Sequence, residues 1–188
     1  MATTVKAVPT WSDVKAELAH FDRVGLLGLL KDLHGMSRDN QAFLNARLGL
    51  GADPLAPFKK IISRSINPDV IKGQNVSVAK AKKAISDYQK AIGLPRGVAE
   101  LCVFYCEEAV RLLSDCGMED ESYFAALVRM FERAITTVMT WPPTEQPDLV
   151  DRLDRVRSSL SGIGWGVKDA VDDVWFDLDP RQGDRAPI

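Results

Sequence analysis

GVAELCVFYCEEAVRLLSDCG, residues 97–117, carries the most apolar helical pattern in the chain. Its apolar side chains cover more than half of a helix circumference and comprise Leu101, Cys102, Phe104, Tyr105, Ala109, Leu112 and Leu113. A helix that is apolar around most of its surface is normally buried. Pro95 suits the first position of this helix, where a missing N–H costs nothing. We therefore predict a central, mostly buried helix that the rest of the fold surrounds.

The segments on either side repeat the 3.6-residue period of amphipathic helices, without the apolar and polar alternation of strands. This pattern predicts an all-α fold of eight or nine helices. We expect them to pack as antiparallel hairpins, in a bundle or a short solenoid-like array. Asp22 and Ser37 are expected to cap the second and third helices. Gly35 is expected to end the second helix, and Asp53–Pro54 to start the fourth.

The strongest break in the chain is WPPTEQPD, residues 141–148. It predicts a helical core domain over 1–141 and an appended C-terminal helical hairpin and tail over 142–188. Two helices alone bury too little surface to be stable, so we expect the hairpin to dock on the core of the same chain. Pairing with a second copy is the alternative, which leaves monomer and homodimer both open. The expected anchors are Trp165 and Trp175, and the apolar seams comprise Leu149, Leu153, Val156, Leu160, Val167, Val171, Val174 and Leu178.

Length and composition favour an ordinary globular protein, since the 188 residues are 46% hydrophobic and 27% charged. The N-terminal residues show neither a secretory signal nor a transit peptide. The three cysteines make a disulfide framework improbable in a chain without such a signal. The longest apolar run, VGLLGLL at 24–30, is far shorter than the roughly 20 residues of a membrane span. We expect a cytoplasmic protein without membrane contact.

The middle of the chain is basic although the formal net charge is −2. Residues 56–100 hold nine Lys or Arg but three Asp or Glu. The candidate anion or nucleic-acid patch comprises Lys59, Lys60, Arg64, Lys72, Lys80, Lys83 and Lys90. The competing interpretation is a solvated helix face, because Asp87 compensates part of the charge on its own helix. No exposed aromatic residues are interleaved with the cations to stack on bases.

No catalytic, cofactor-binding or metal-ligating residue is assigned. Cys102 and Cys106 share one helix face, but a zinc site needs a second close pair of Cys or His, so we expect both to pack in the core. The glycines of GIGWGVKD, residues 162–169, lack the strand and the Lys-Ser/Thr pair of a phosphate loop. The Glu-x-x-His pairs of di-metal bundles and a G-x-S-x-G elbow do not occur. Whether the protein is an enzyme stays open at this point.

Three segments together resemble an uncharacterised bacterial family of small all-helical proteins, a domain of unknown function. They are LLKDLHGMSRDNQAFLNARL at 29–48, KAKKAISDYQKAIGLPRGVAELCVFYCEEAVRL at 80–112, and DESYFAALVRMFERAI at 120–135. The resemblance covers roughly residues 25–140 and stops at the proline cluster. It implies packed helical hairpins and assigns no activity, cofactor or site residue.

These observations favour a non-catalytic helical protein that works by contacting another macromolecule. We expect the partner to be a protein, bound in a groove between hairpins, as in helical solenoids. The alternative is weak nucleic-acid or phosphate binding through the basic patch at 59–90.

Overall fold

The structure is a computed structural model that describes residues 8–51, 53–164 and 166–178. These residues form nine α-helices and no strand, which confirms the predicted all-α class. The helices are α1 (Trp11–Leu18), α2 (Arg23–Met36), α3 (Arg38–Arg47), α4 (Ala56–Ile66), α5 (Val78–Ala91), α6 (Pro95–Cys116), α7 (Glu121–Met139), α8 (Pro147–Ser159) and α9 (Val167–Leu178). Single 3-10 turns at Val70–Lys72 and Pro143–Glu145 join some of them. The chain divides into two compact units between Leu44 and Asn45.

Both predicted N-caps are confirmed. The Asp22 side chain accepts a hydrogen bond from the Gly25 amide at 2.7 Å, and Ser37 Oγ accepts one from the Asn40 amide at 3.1 Å. Each bond satisfies one of the backbone donors that a helix start leaves without an intrahelical partner.

Two predicted helix ends were wrong. α2 continues through Gly35 to Met36, because the Asn40 side chain donates to the Leu33 carbonyl at 2.6 Å and serves the end of α2 in place of a glycine cap. α4 begins at Ala56 rather than at Pro54. Asp53 is the reason, since its side chain accepts from the Leu55 amide at 2.8 Å and holds a turn just before the helix.

α6 is the central helix of residues 45–188, as predicted. It packs against α4, α5, α7 and α8. Leu101, Cys102, Tyr105 and Ala109 are completely buried. Among the seven residues of α6 that were predicted to be buried, Phe104 alone is half-buried. The Lys59 ammonium lies 5.4 Å from the centre of its ring.

α4 and α5 form an antiparallel hairpin. The Ser77 amide donates to the Ser65 carbonyl at 2.8 Å, which joins the end of α4 to the start of α5. At the other end of the hairpin the rings of Phe58 and Tyr88 meet edge to face, with centroids 5.4 Å apart. Such a contact adds about 1 kcal/mol to the burial of the rings.

α6 and α7 form the next hairpin, and Gly117 makes the turn between them. Its φ of 57° is left-handed, which favours glycine, and its amide donates to the Leu113 carbonyl at 3.1 Å. Tyr123 on α7 then donates its hydroxyl to the carbonyl of Ile66 at 2.9 Å. This bond ties the end of α4 to the α6–α7 hairpin.

α8 and α9 pack on α6 and α7 within the same compact unit. Among the predicted seam residues, the buried ones are Leu149, Leu153, Val156, Leu160, Val167 and Val171. Trp175 is buried as well, and its ring centre lies 6.3 Å from that of Phe131 on α7. Val174 and Leu178 are half-buried, and Trp165 lies outside the described residues. The domain boundary at 141/142 stays a prediction.

Candidate functional site

The seven cations of the predicted basic patch divide into two groups. Lys59, Lys72 and Lys83 each form an ion pair, with Glu100, Asp69 and Asp87 respectively. The other four are exposed and form no ion pair with another described residue; they are Lys60, Arg64, Lys80 and Lys90. α4 and α5 therefore bring fewer uncompensated charges to their outer surfaces than the sequence alone indicates. The anion-binding role of these residues stays a prediction.

Lys59 belongs to an ion-pair network that connects α4, α6 and α8. Its ammonium lies 2.6 Å from Glu100, which also accepts from Arg152 at 2.6 Å. The Arg152 guanidinium donates two further hydrogen bonds of 2.8 Å to the Glu107 carboxylate. Glu100 and Arg152 are 18% and 17% exposed, so solvent screens this network less than it screens a surface pair. The network stabilises the packing of α8 on α6, the central helix.

The network sets the ionisation of its members. Burial raises the pKa of Glu100, but the hydrogen bonds from Arg152 and Lys59 outweigh burial and hold this pKa below its usual value. The hydrogen bonds to Glu107 contribute most to raising the pKa of the Arg152 guanidinium. Glu100 and Arg152 are therefore both charged at neutral pH, and the Glu100 carboxylate is engaged by cations rather than poised for proton transfer.

Two of the three cysteines of α6 are core residues, as predicted. Cys102 and Cys106 are buried and unpaired, whereas Cys116 is exposed. Burial raises the pKa of the Cys102 thiol to about 11 and that of Cys106 well above its usual value. Thiols of this kind are poor nucleophiles at neutral pH. The described residues also contain no group of three or more His, Cys, Asp or Glu side chains arranged to hold a metal ion.

α2 exposes an apolar face that the predicted site did not include. Leu26, Leu29, Leu30 and Leu33 recur at the i, i+3, i+4, i+7 spacing of one helix side and form what we call the leucine face. Each is between 38 and 44% exposed, and no residue of α2 is buried. The described helices, α2 included, are too short or too polar to cross a membrane.

α2 is also a helix with little intrinsic stability. It contains three glycines within 14 residues, Gly25, Gly28 and Gly35, each of which costs about 1 kcal/mol relative to alanine. A helix of this length is marginal on its own, so helices in proteins usually depend on burying an apolar face. Here that face is exposed.

One pocket of the unit that begins at Asn45 has a volume of about 390 Å³. It lies where α4, α6 and α8 begin and α5 ends. Its described lining residues are Asp53, Pro54, Leu55, Lys59, Tyr88, Leu94, Arg96, Gly97, Glu100, Asp148 and Leu149. A volume of this size suits a small ligand rather than a helix of a partner protein.

Comparison with known proteins gives no further guide to function. Protein-family models, curated proteins and solved structures were all compared with the chain, and none matches it. The resemblance to a bacterial family of unknown function therefore stays a prediction, and function has to be argued from the molecule itself.

Proposed function

We propose that this protein is a non-catalytic interaction protein that inserts the leucine face of α2 into an apolar groove on another protein. The observation that carries the proposal is the exposure of four leucines on one side of a helix without a buried residue. Insertion of an amphipathic helix into a groove is a common mode of protein recognition, with anchors at this spacing. The proposed contact thus lies on α2 rather than between the hairpins.

The charges of α2 indicate the chemistry of the partner. Arg23 and His34 fall along one edge of the leucine face. Asp32 is the single carboxylate of the helix. A groove with an acidic rim would complement this edge, and such complementarity favours correct association.

A second copy of the chain fits the leucine face less well. In an antiparallel pair of α2 helices the basic edge of one copy would lie against the same edge of the other. One face of a helix about 21 Å long also buries less than the roughly 800 Å² per partner of a stable interface. A groove encloses more of the helix and can bury more of its surface.

The proposal is tested by affinity capture from the source organism with three forms of the purified protein. They are the wild type, the double variant Leu29→Glu with Leu33→Glu, and Val24→Glu as matched control. Val24 is 76% exposed and lies on the side of α2 opposite Leu33. We expect one protein to be retained by the wild type and the control but lost from the double variant. With that protein purified, the double variant should bind at least about 100-fold more weakly.

Three results would overturn the proposal. The first is equal capture by the double variant, which would place the contact elsewhere. The second is binding of the wild type to anionic lipid vesicles that the double variant loses, which would assign the face to a membrane. The third is concentration-dependent dimerisation with the same loss, which would assign it to a second copy.

Weak anion binding by the basic residues is the second candidate, and the exposure of Lys60, Arg64, Lys80 and Lys90 supports it. It predicts oligonucleotide binding at low salt that weakens steeply as salt is added. Replacing Lys80 and Lys90 by Gln should weaken this binding. Replacing Lys72, which is paired with Asp69, should have less effect. No binding of single- or double-stranded oligonucleotides at low salt would exclude this candidate.

We place the interaction in a reducing compartment such as the cytoplasm. The exposed thiol of Cys116 supports this location, since exposed unpaired cysteines persist best where thiols are kept reduced.

A further inference from the structure

A groove of about 310 Å³ lies between α6 and α8 and is separate from the pocket where these two helices begin. α6 contributes Arg111 to its lining, and α8 contributes Arg152 and Arg155. Glu107 is the single carboxylate among its described lining residues. Cations therefore outnumber carboxylates along this groove, which we call the arginine groove.

Arg152 and Glu107 compensate each other within the arginine groove. Both oxygens of the Glu107 carboxylate accept hydrogen bonds of 2.8 Å from the Arg152 guanidinium. The remaining nitrogen of that guanidinium donates to Glu100 at 2.6 Å. The carboxylate of the lining is thus already paired, and it leaves the charges of Arg111 and Arg155 to be balanced by other groups.

Arg155 carries a charge that no described carboxylate pairs with. It is exposed and forms no ion pair with another described residue. Asp154, its neighbour in sequence, pairs with Arg157 at 2.7 Å instead. A guanidinium offers five N–H donors in a planar fork, so Arg155 is equipped to hold an oxyanion.

Arg111 also has donors to spare. Its Nη1 donates to Glu108, while its Nε and Nη2 donate to no described residue, and its side chain is 60% exposed. Glu108 is buried, does not line the arginine groove, and accepts from Ser63 and Asn67 as well. Its charge therefore offsets that of Arg111 only in part.

The charge of the lining indicates the class of ligand. Three arginines against one carboxylate give the lining a net charge of +2. A phosphate monoester carries about −1.5 to −2 at neutral pH and presents three strong acceptor oxygens, enough for two guanidinium groups. A single carboxylate has half that charge and only two oxygens. Paired hydrogen bonds between a guanidinium and a phosphate are also short and strong.

We propose that the arginine groove binds the phosphate group of a small phosphate monoester. The guanidinium groups of Arg111 and Arg155 donate to its oxygens from opposite sides, one from each helix. The site is independent of both functions proposed above, since it uses no residue of α2 and none of the exposed cations of α4 and α5.

The proposal is tested by titrating ¹⁵N-labelled protein with phenyl phosphate at pH 7.5, with the ionic strength held constant by NaCl, and following backbone amide shifts. We expect saturable shifts at Arg111, Arg155 and Ser159, which line the groove. Inorganic phosphate should shift the same amides. Benzoate, which has a ring but a single charge, should bind more weakly than phenyl phosphate.

Two variants and a matched control locate the binding. Arg155→Gln should weaken phenyl phosphate binding about tenfold, since it removes hydrogen bonds to a charged group. Arg111→Lys keeps a cation beside Glu108 but loses the planar fork, so it should also weaken binding. Arg64→Gln is the control, because Arg64 is exposed on α4, does not line the groove, and its replacement removes the same charge.

The proposal is wrong if millimolar phenyl phosphate leaves the amides of the groove unshifted. It is also wrong if benzoate binds as tightly as phenyl phosphate, or if neither Arg155→Gln nor Arg111→Lys weakens binding. Equal weakening by Arg155→Gln and Arg64→Gln would overturn it as well, since general attraction to a cationic surface would then explain the binding.

Discussion

Tyr105 on α6 and Tyr123 on α7 are both buried in the core, but their hydroxyl groups differ in their contacts. Tyr123 donates to the Ile66 carbonyl at 2.9 Å, whereas Tyr105 Oη has no partner among the described residues. A buried polar atom without a hydrogen bond costs free energy, and a satisfied one contributes about 1 kcal/mol. The two tyrosines therefore allow a matched comparison.

We predict that Tyr123→Phe lowers the free energy of unfolding by about 1 kcal/mol, because the Ile66 carbonyl loses its donor. Tyr105→Phe should leave the free energy of unfolding unchanged or raise it by up to about 1 kcal/mol. Urea denaturation of the three proteins measures both effects. Equal destabilisation by the two substitutions would contradict the hydrogen bonding described here.

The ion-pair network predicts how stability depends on pH. The pKa of Glu100 is lowered in the folded protein, from a usual value of 4.5. Its contribution to the free energy of unfolding is therefore complete above pH 4.5 and is lost as the pH falls through the lower, folded pKa. We expect wild type to be more stable than Glu100→Gln at about pH 6, and this difference to shrink steadily towards about pH 3.

Denaturation curves of both proteins across this pH range check the prediction. Lys72→Gln is a suitable control, because Lys72 forms an exposed pair with Asp69 on its own turn and should leave the profile nearly unchanged. A stability difference between wild type and Glu100→Gln that is constant with pH would show that the Glu100 carboxylate is not held by cations.

At the scale of elements, the sequence predicts where helices form and which of their faces are buried, but it does not predict which helices contact each other. The burial of Cys102 and Cys106 could be predicted because the apolar residues of α6 recur with helical spacing in one continuous stretch of sequence. The pair between Lys59 and Glu100 could not, since 41 residues separate them and helix packing decides which side chains meet. The same holds for Tyr88 and Gly97, whose close approach lies between the end of α5 and the start of α6.

The leucine face is a different case, because its signal is visible in the sequence. The length of VGLLGLL excludes a membrane span, but its helical spacing alone does not indicate whether the leucines are buried or exposed. The exposure of these leucines depends on which helices pack together. That information comes from the tertiary structure.

The glycines of α2 lead to a prediction about that element. Gly28 and Gly35 have open space around the position of a Cβ atom, so alanine fits at both. Replacing both by Ala should raise the helicity of α2 by removing about 1 kcal/mol of cost at each position. The leucine face is then organised before binding, and affinity for the partner should rise. Circular dichroism and amide hydrogen exchange in α2 measure the first effect, and partner titration the second.

Gly25→Ala is the control for this change. A Cβ atom there would lie 2.9 Å from the ring of Phe21, so the substitution should gain less helicity. Unchanged amide exchange in the Gly28→Ala and Gly35→Ala double variant would contradict the interpretation of α2 as a helix limited by its glycines.

At the scale of the whole molecule, α8 and α9 contribute to the packing of the unit that begins at Asn45. Buried residues of α8 and α9 cover α6 and α7, and Arg152 engages Glu100 and Glu107. We predict that a chain ending at Trp141 loses cooperative unfolding, because it exposes this apolar surface and leaves two half-buried carboxylates with fewer cations. Thermal denaturation and gel filtration of the shortened chain test this.

The matched control keeps the whole chain and changes one contact. Arg152→Ala should destabilise the protein by about 3 kcal/mol while unfolding stays cooperative. If the chain ending at Trp141 unfolds as cooperatively as the wild type and at the same temperature, the C-terminal hairpin contributes nothing to the rest of the unit.

The central claim is that the leucine face of α2 is the surface that contacts a partner protein. The most direct measurement is photo-crosslinking from a photoreactive amino acid placed at position 33, in the face, or at position 24, on the opposite side of the helix. We predict one crosslinked product of defined mass from position 33 and none from position 24. Crosslinking of the same partner from both positions with equal yield, or from position 24 alone, would contradict the claim.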